Sequence, residues 1–219
     1  FDRETLSKYS KGLVCTSACQ QGEIAQALIS DDYAKAKKNA EWFLDLFGKD
    51  YYLEVQRHEY KKFVNDVDSE EIKKNLNDTS EFEGKINKGV VKLSRELGIP
   101  IVATNDTHYI ARQDATAQDA LVCIATGKNV SDTKRLRFID TPTFYLKSPE
   151  EMKDLFGDLP DALENTVKVA EKCEITLTLD KWFFPQFPKE EGKSYDEVLE
   201  EKAWEGVKER FKAPTDEIR

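Results

Sequence analysis

The sequence predicts an α/β fold in which strands alternate with covering helices through residues 1–150, followed by a mostly helical segment over 151–219. Two observations carry the first part. Apolar runs of strand length recur at residues 12–17, 51–58 and 99–104, and the segments between them largely repeat their apolar residues at helical spacing. A third observation sets the remainder apart. Beyond about residue 140 capped helical patterns dominate and an aromatic, proline-rich connector appears, which places a domain boundary between 140 and 185.

Residues 12–17 (GLVCTS) are the first strand, and Ile24, Ala27 and Leu28 mark the helix after it. The segment DDYAKAKKNAEWFLDLFG has an acidic start, apolar residues at Tyr33, Ala36, Ala40, Phe43, Leu44 and Phe47, and a terminal Gly48, the pattern of a capped amphipathic helix. YYLEVQRH, residues 51–58, alternates as a strand. The polar stretch 60–83 shows little apolar periodicity and is expected to be a long connection with one solvent-facing helix. Residues 85–97 give another helix through Ile86, Val90, Leu93 and Leu97, stopped at Gly98 before the strand IPIVATN. Strands covered by intervening helices call for a parallel sheet, open or closed into a barrel.

Further along, 113–126 is expected to be a helix ending at Gly127, with Arg135 and Arg137 in the loop beyond it. SPEEMKDLF is a helix start, with Ser148 as N-cap, Pro149 in the first turn and Glu151 as capping-box partner. LPDALENTVKVAEKC continues as a helix, EITLTL alternates as a strand, and WFFPQFP is the connector. The last helix, about 194–212, carries Val198, Leu199 and Trp204 on its apolar side. The first residue is Phe1 rather than Met, and FDRETLSKYSKG reads as the end of a helix already under way, which points to a fragment.

The 219 residues are 39% hydrophobic and 11% aromatic, enough for a buried core and inconsistent with a disordered chain. A net charge of −9, from 42 acidic against 33 basic residues, excludes a broad phosphate-binding surface. Contact with nucleic acid must then be local, metal-mediated or made elsewhere in a larger protein. Cys15, Cys19, Cys123 and Cys173 form no Cys-x-x-Cys pair and are too scattered for a disulfide scaffold; apart from Cys19 they are expected to be small buried residues. No apolar run approaches the ~20 residues of a membrane span and no signal peptide opens the chain, so the expectation is a soluble, cytoplasmic protein without a membrane partner.

The chemistry gathers at IPIVATNDTHYI, residues 99–110. A strand repeats every two residues, so Asp106 and His108 would share a face if the extended conformation continues through them. In a parallel α/β sheet the carboxyl ends of the strands form the working face, and Cys19 follows the first strand at the same end. Carboxylate, imidazole and thiolate together suit Zn, Mn or Fe better than Mg or Ca. From the residues alone a hydrogen-bonded Asp–His pair capping the next helix is the competing reading. His58, flanked by Arg57 and Glu59, is either a fourth ligand or a solvated surface histidine, and Glu54 either lines the same face or is structural. Arg135 and Arg137 are either a phosphate contact or a surface pair. The chain contains no Gly-rich phosphate loop, Ser-His-Asp triad or His-Glu-x-x-His helix.

KYSKGLVCTSACQQGEIAQALI, YYLEVQRH, LGIPIVATNDTHYI, DALVCIATGKNVSD, FYLKSPEEMKDLFGDLPDALENTVKVAEKCEI and FFPQFP occur in an order and near a spacing that resembles the alpha subunits of bacterial replicative DNA polymerase III, family C. The resemblance covers almost the whole chain apart from an insertion-like region around 60–83. It implies that residues 1–150 are the C-terminal part of a PHP (polymerase and histidinol phosphatase) domain, a distorted (β/α)7 barrel, and that 151–219 connect into the polymerase palm and thumb region. It also implies a cluster of divalent metal ions, Zn, Mn or Fe, at the strand ends. Asp106 and His108 match the last Asp-x-His motif of that cluster, and Cys19 matches the cysteine of a Ser-Gly-Cys segment, here Ser17-Ala18-Cys19.

By the same resemblance Cys19, Asp106 and His108 are metal ligands, Asp106 and His108 are catalytic, and the remaining ligands, including a His-x-His motif, lie upstream. The activity implied for the full-length protein is DNA-directed DNA synthesis in chromosome replication, with Mg for polymerisation and a metal-dependent 3′–5′ proofreading exonuclease in the PHP domain. Metal ions would there supply the positive charge an acidic surface lacks. The family's polymerase aspartates lie downstream of residue 219, so these residues alone are expected to be inactive. Primer-template DNA, the sliding clamp and the clamp loader are the implied partners. The alternative is a PHP segment that serves as a non-catalytic structural platform. A free-standing phosphatase is disfavoured because the match runs past the barrel into FFPQFP.

Overall fold

The computed structural model describes residues 2–211, which fall into two compact units divided between Glu174 and Ile175. In the first unit, β1 (Cys15–Thr16), β2 (Tyr51–Gln56) and β3 (Ile101–Thr104) form a parallel sheet in the order β1-β2-β3. Cys15 pairs with Tyr51, and Leu53 through Gln56 pair with Ile101 through Thr104. This is the parallel arrangement that the strand and helix alternation predicts. β1 is shorter than the apolar run 12–17, because only two of its residues reach the central strand.

β2 is the middle strand and Tyr51 through Val55 are all buried, as expected of a parallel strand covered on both faces. α1 (Arg3–Tyr9) precedes β1, and the covering helices are α2 (Glu23–Ile29) and α3 (Tyr33–Phe47), with a third long helix after them. Ile24, Leu28, Ala36 and Ala40 from the first two join Leu53 and Val55 in one core. Alanines at 36 and 40, both fully buried, repeat one helical turn apart, so α3 presents a small-residue face to that core.

The third helix, α4, runs without a break from Glu70 to Leu97, and corrects the expectation of a long connection with one separate solvent-facing helix over 60–83. Its weak apolar signal has a physical reason. Ile72 and Leu76 pack into a second cluster with Tyr60, Tyr109, Phe138 and Phe144, whereas Ile86, Val90 and Leu93 enter the main core. A helix of 28 residues, about 42 Å long, thus serves two cores, and each needs only part of its length. Gly98 ends it at φ 67°, the left-handed C-terminal position anticipated from the sequence.

α5 (Ala115–Thr126) ends at Gly127 with φ 63°, and α6 (Pro149–Phe156) opens on the anticipated Ser148–Glu151 capping box. α7 (Pro160–Lys172) contributes Ala162 to the main core, and Asn165 donates to the Ile101 carbonyl of β3. The packing of the first unit therefore continues past residue 150. Of the cysteines expected to be buried, Cys123 is, Cys15 is half-buried with burial pushing its thiol up to about 11, and Cys173 is exposed.

In the second unit EITLTL forms no strand: Ile175, Leu177 and Leu179 are exposed and non-helical. Alternation alone does not make a strand without a neighbour to bond. α8 (Tyr195–Arg210) starts on a capping box from Ser194 to Glu197. Val198 is buried, but Leu199 is 69% exposed, so the anticipated apolar side is only partly covered. Phe1 and the anticipated helix end at residue 212 lie outside the described residues.

Candidate functional site

Each candidate donor sits on a turn that leaves the carboxyl end of a strand. After β1, Ser17 donates its backbone N–H to the Tyr52 carbonyl (3.0 Å), and its hydroxyl accepts from the Glu54 backbone N–H (2.8 Å). Ala18 then adopts φ 64°, and Gly22 closes the turn by donating to the Cys19 carbonyl at 2.9 Å. A Cβ on Gly22 would lie 2.4 Å from the Ser17 carbonyl oxygen, so this turn around Cys19 requires glycine there.

After β3, the extended conformation does not continue. Asp106 lies in the left-handed region at φ 45°, so the period-two argument for a shared face fails. The two side chains meet nonetheless, because the reversal folds the chain back on itself: His108 Nε2 lies 3.5 Å from Asp106 Oδ1. Both are partly open, at 39% and 32% exposure. The His108 backbone N–H is held by the Phe144 carbonyl (2.8 Å), and its ring packs 4.5 Å from Phe138. A cavity of about 350 Å3 is lined by Cys19, Asp106 and His108 together with Gln20, Asn75 and Phe138.

A smaller cavity of about 40 Å3 joins the same wall, lined by Cys19 and Asp106 and by Glu54, His58 and Glu83. Glu54 both lines this wall and ties the sheet together. Its carboxylate accepts from Thr16 on β1 (2.7 Å), Gln56 on β2 (2.7 Å) and Thr104 on β3 (2.5 Å), tying the three strands together. His58 is not the solvated histidine its charged neighbours imply: it is 2% exposed, with Nδ1 2.7 Å from Glu83 Oε2 and its ring stacked on Phe144 at 4.2 Å. Glu83 went unrecognised in the sequence because it sits in a polar stretch with no local signal and its partner is 25 residues away.

The electrostatics of this wall are negative. Burial, reinforced by Glu83, Asp106 and Cys19, drives the Tyr60 hydroxyl far above its ordinary range and keeps it neutral. On the other side of the turn, burial pushes the Lys147 ammonium down to about 8, where it donates to Asn105 Oδ1 at 2.8 Å. Arg135 and Arg137 are not a surface pair. Arg135 is bidentate to Asp119 (2.8 and 2.7 Å) with only 2% of its side chain exposed, and Arg137 is bound to Asp140. Both arginines line the cavity beside His108, each guanidinium held by its own carboxylate.

Cys19, Asp106 and His108 thus share a cavity, but only Asp106 and His108 are in contact. Among the described residues no three His, Cys, Asp or Glu side chains are grouped closely enough to hold a metal ion. The donors are of the right chemical kind for Zn, Mn or Fe, and they do not by themselves complete a site. Nor does any described helix have the length and apolar character to cross a membrane.

A PHP domain model matches residues 1–58. The chain is 43% identical over 221 residues to DNA polymerase III subunit alpha of Borreliella burgdorferi, a match that covers 100% of the chain and 17% of that protein. It is 35% identical to the Campylobacter jejuni subunit and 40% identical to that of Neisseria meningitidis, over 94% and 92% of the chain and 16% of each relative. The chain therefore spans about a sixth of the length of the curated relatives it matches. The parallel sheet with its covering helices is the α/β arrangement of part of a PHP barrel.

Proposed function

We infer, from a chain similar along its whole length to bacterial DNA polymerase III alpha subunits, that it is a working part of such a subunit and serves DNA-directed DNA synthesis in chromosome replication. In this reading residues 1–150 belong to the PHP domain and 151–219 lead into the palm and thumb region. The strand-end turns contribute Cys19, Asp106 and His108 to a metal site for Zn, Mn or Fe that further residues of the full-length protein complete. That site would act as a 3′–5′ proofreading exonuclease, with Asp106 and His108 as its catalytic residues from this stretch. Polymerisation itself would use Mg elsewhere in the protein, on primer-template DNA, in the cytoplasm and in company with the sliding clamp and clamp loader.

The observation that carries the reading is the contact of Asp106 with His108 on the wall of a cavity that also includes Cys19. A second reading, the PHP segment as a structural platform only, is favoured by the lack of a three-donor group among the described residues. Metal content and removal of a mismatched 3′ end, measured on the full-length protein with and without Asp106→Asn, separate the two. The exonuclease reading expects both to fall at least about tenfold, as loss of a ligating carboxylate does. Unchanged hydrolysis in the variant would leave the platform standing.

A further inference from the structure

All four polar atoms of His58, two in the backbone and two in the ring, have partners. Its backbone N–H donates to both Glu83 carboxylate oxygens (3.1 Å each), and its carbonyl accepts from the Thr143 hydroxyl (3.3 Å). In the ring, Nδ1 faces Glu83 Oε2 at 2.7 Å and Nε2 faces the Asn105 carbonyl at 3.3 Å. Each ring nitrogen thus has an oxygen within hydrogen-bond reach, one on Glu83 and one on the Asn105 backbone.

Asn105 is the residue between β3 and Asp106, and it is fixed on its other sides too. Its side-chain amide donates to the Thr143 and Tyr145 carbonyls (2.8 and 2.7 Å), and its own oxygen accepts from Lys147. The far side of the turn is held by Phe144, whose carbonyl accepts from the His108 backbone and whose ring lies flat against His58. His58 thus touches both supports of the segment that reverses at Asp106. A left-handed non-glycine residue persists only where its surroundings hold it.

We propose that His58 and Glu83 are positioning residues. Anchored on α4, the pair holds the Asn105 carbonyl and so maintains the left-handed turn that brings Asp106 against His108. The proposal rests on the reading of Asp106 and His108 as the working pair, but its test does not require a bound metal. The probe is diethylpyrocarbonate, with modification of His108 followed by mass spectrometry on the full-length protein beside thermal unfolding. His108 is partly open, whereas His58 is buried.

His58→Phe keeps a flat ring stacked on Phe144 and removes both ring hydrogen bonds, so a purely packing role predicts an unchanged His108 rate. The positioning role predicts a rise of about fivefold, the effect of releasing one hydrogen bond, toward the rate seen in Asp106→Asn. Glu83→Ala should move it the same way. A folded His58→Phe protein with the wild-type rate overturns the proposal; if that variant does not fold, Glu83→Ala is judged by the same criterion. Failure of both to fold also overturns it, since the pair would then hold the core rather than the turn. If the His108 rate moves as expected while Asp106→Asn leaves hydrolysis and metal content untouched, the functional reading fails and the positioning role stands.

Discussion

Gly22 and Gly84 are both internal glycines with opposite consequences. A methyl at Gly22 would meet two backbone carbonyl oxygens, Ser17 at 2.4 Å and Cys19 at 3.2 Å, neither of which can move without opening the Cys19 turn. Gly22→Ala should therefore destabilise the protein by roughly 1–3 kcal/mol, read as a shift in denaturant midpoint. At Gly84, inside α4, a Cβ has nothing within 4 Å. Gly84→Ala should stabilise by about 0.5–1 kcal/mol, because alanine loses less backbone entropy in a helix. Should the two variants unfold alike, the close approach at Gly22 is wrong. Neither outcome is readable from the sequence, where both are simply glycines near polar residues. Cys19, Asp106 and His108 were legible because a resemblance singles them out, whereas His58 and Glu83 became visible only once α4 brought them together.

At the scale of elements, α4 is where reading and structure part most widely. Over residues 85–97 the apolar repeat is dense enough to announce a helix, and over 60–83 it is not. The N-terminal half is helical because Ile72 and Leu76 have a separate aromatic cluster to enter, supplied by residues as distant as Phe138 and Phe144. Leu76→Ala is expected to cost 2 kcal/mol or more on the scale of ~2–5 for a buried leucine, whereas a solvent-facing helix would lose less than ~0.5. Equilibrium unfolding measures the difference directly. Ser148→Ala, which removes the hydroxyl accepting from Glu151 at 3.2 Å, should cost about 1 kcal/mol by the same assay. That capping box was legible because its signal lies within four residues. EITLTL was misread for the opposite reason: a strand is completed by a neighbour, and none among the described residues bonds to it.

At the scale of the whole molecule, an excess of nine negative charges makes its response to acid a test of which carboxylates are engaged. Burial opposes ionisation of Asp119, yet the Arg135 guanidinium and the Phe138 backbone N–H outweigh it and hold the carboxyl below its usual range. The Tyr145 hydroxyl and Ser148 backbone do the same for Glu151, and Arg57 does so for Asp158. A carboxyl with a lower value folded than unfolded contributes stability that is fully present above the unfolded value of about 4 and is lost as pH falls through the folded one. The unfolding temperature should thus stay level from about pH 7 to 5 and fall steeply below about 4. Asp119→Asn should lower it already at neutral pH, by about 3–5 kcal/mol in stability, because Arg135 is left buried without its carboxylate. Its acid limb should also be shallower, since one of the titrating groups is gone.

By itself the sequence determined the alternation of strands and helices, most helix ends, and the presence of a carboxylate, an imidazole and a thiol near strand ends. Those features arise from periodicity, caps and glycines acting over a few neighbouring residues. The tertiary structure alone decided that α4 is one helix, that the arginines of the 135–137 loop are paired internally, that Asp106 reverses the chain, and that His58 is buried against Glu83. Apart from the local Arg137–Asp140 pair, these depend on partners 16 to 85 residues apart whose approach is set by packing and by the need to satisfy buried polar groups.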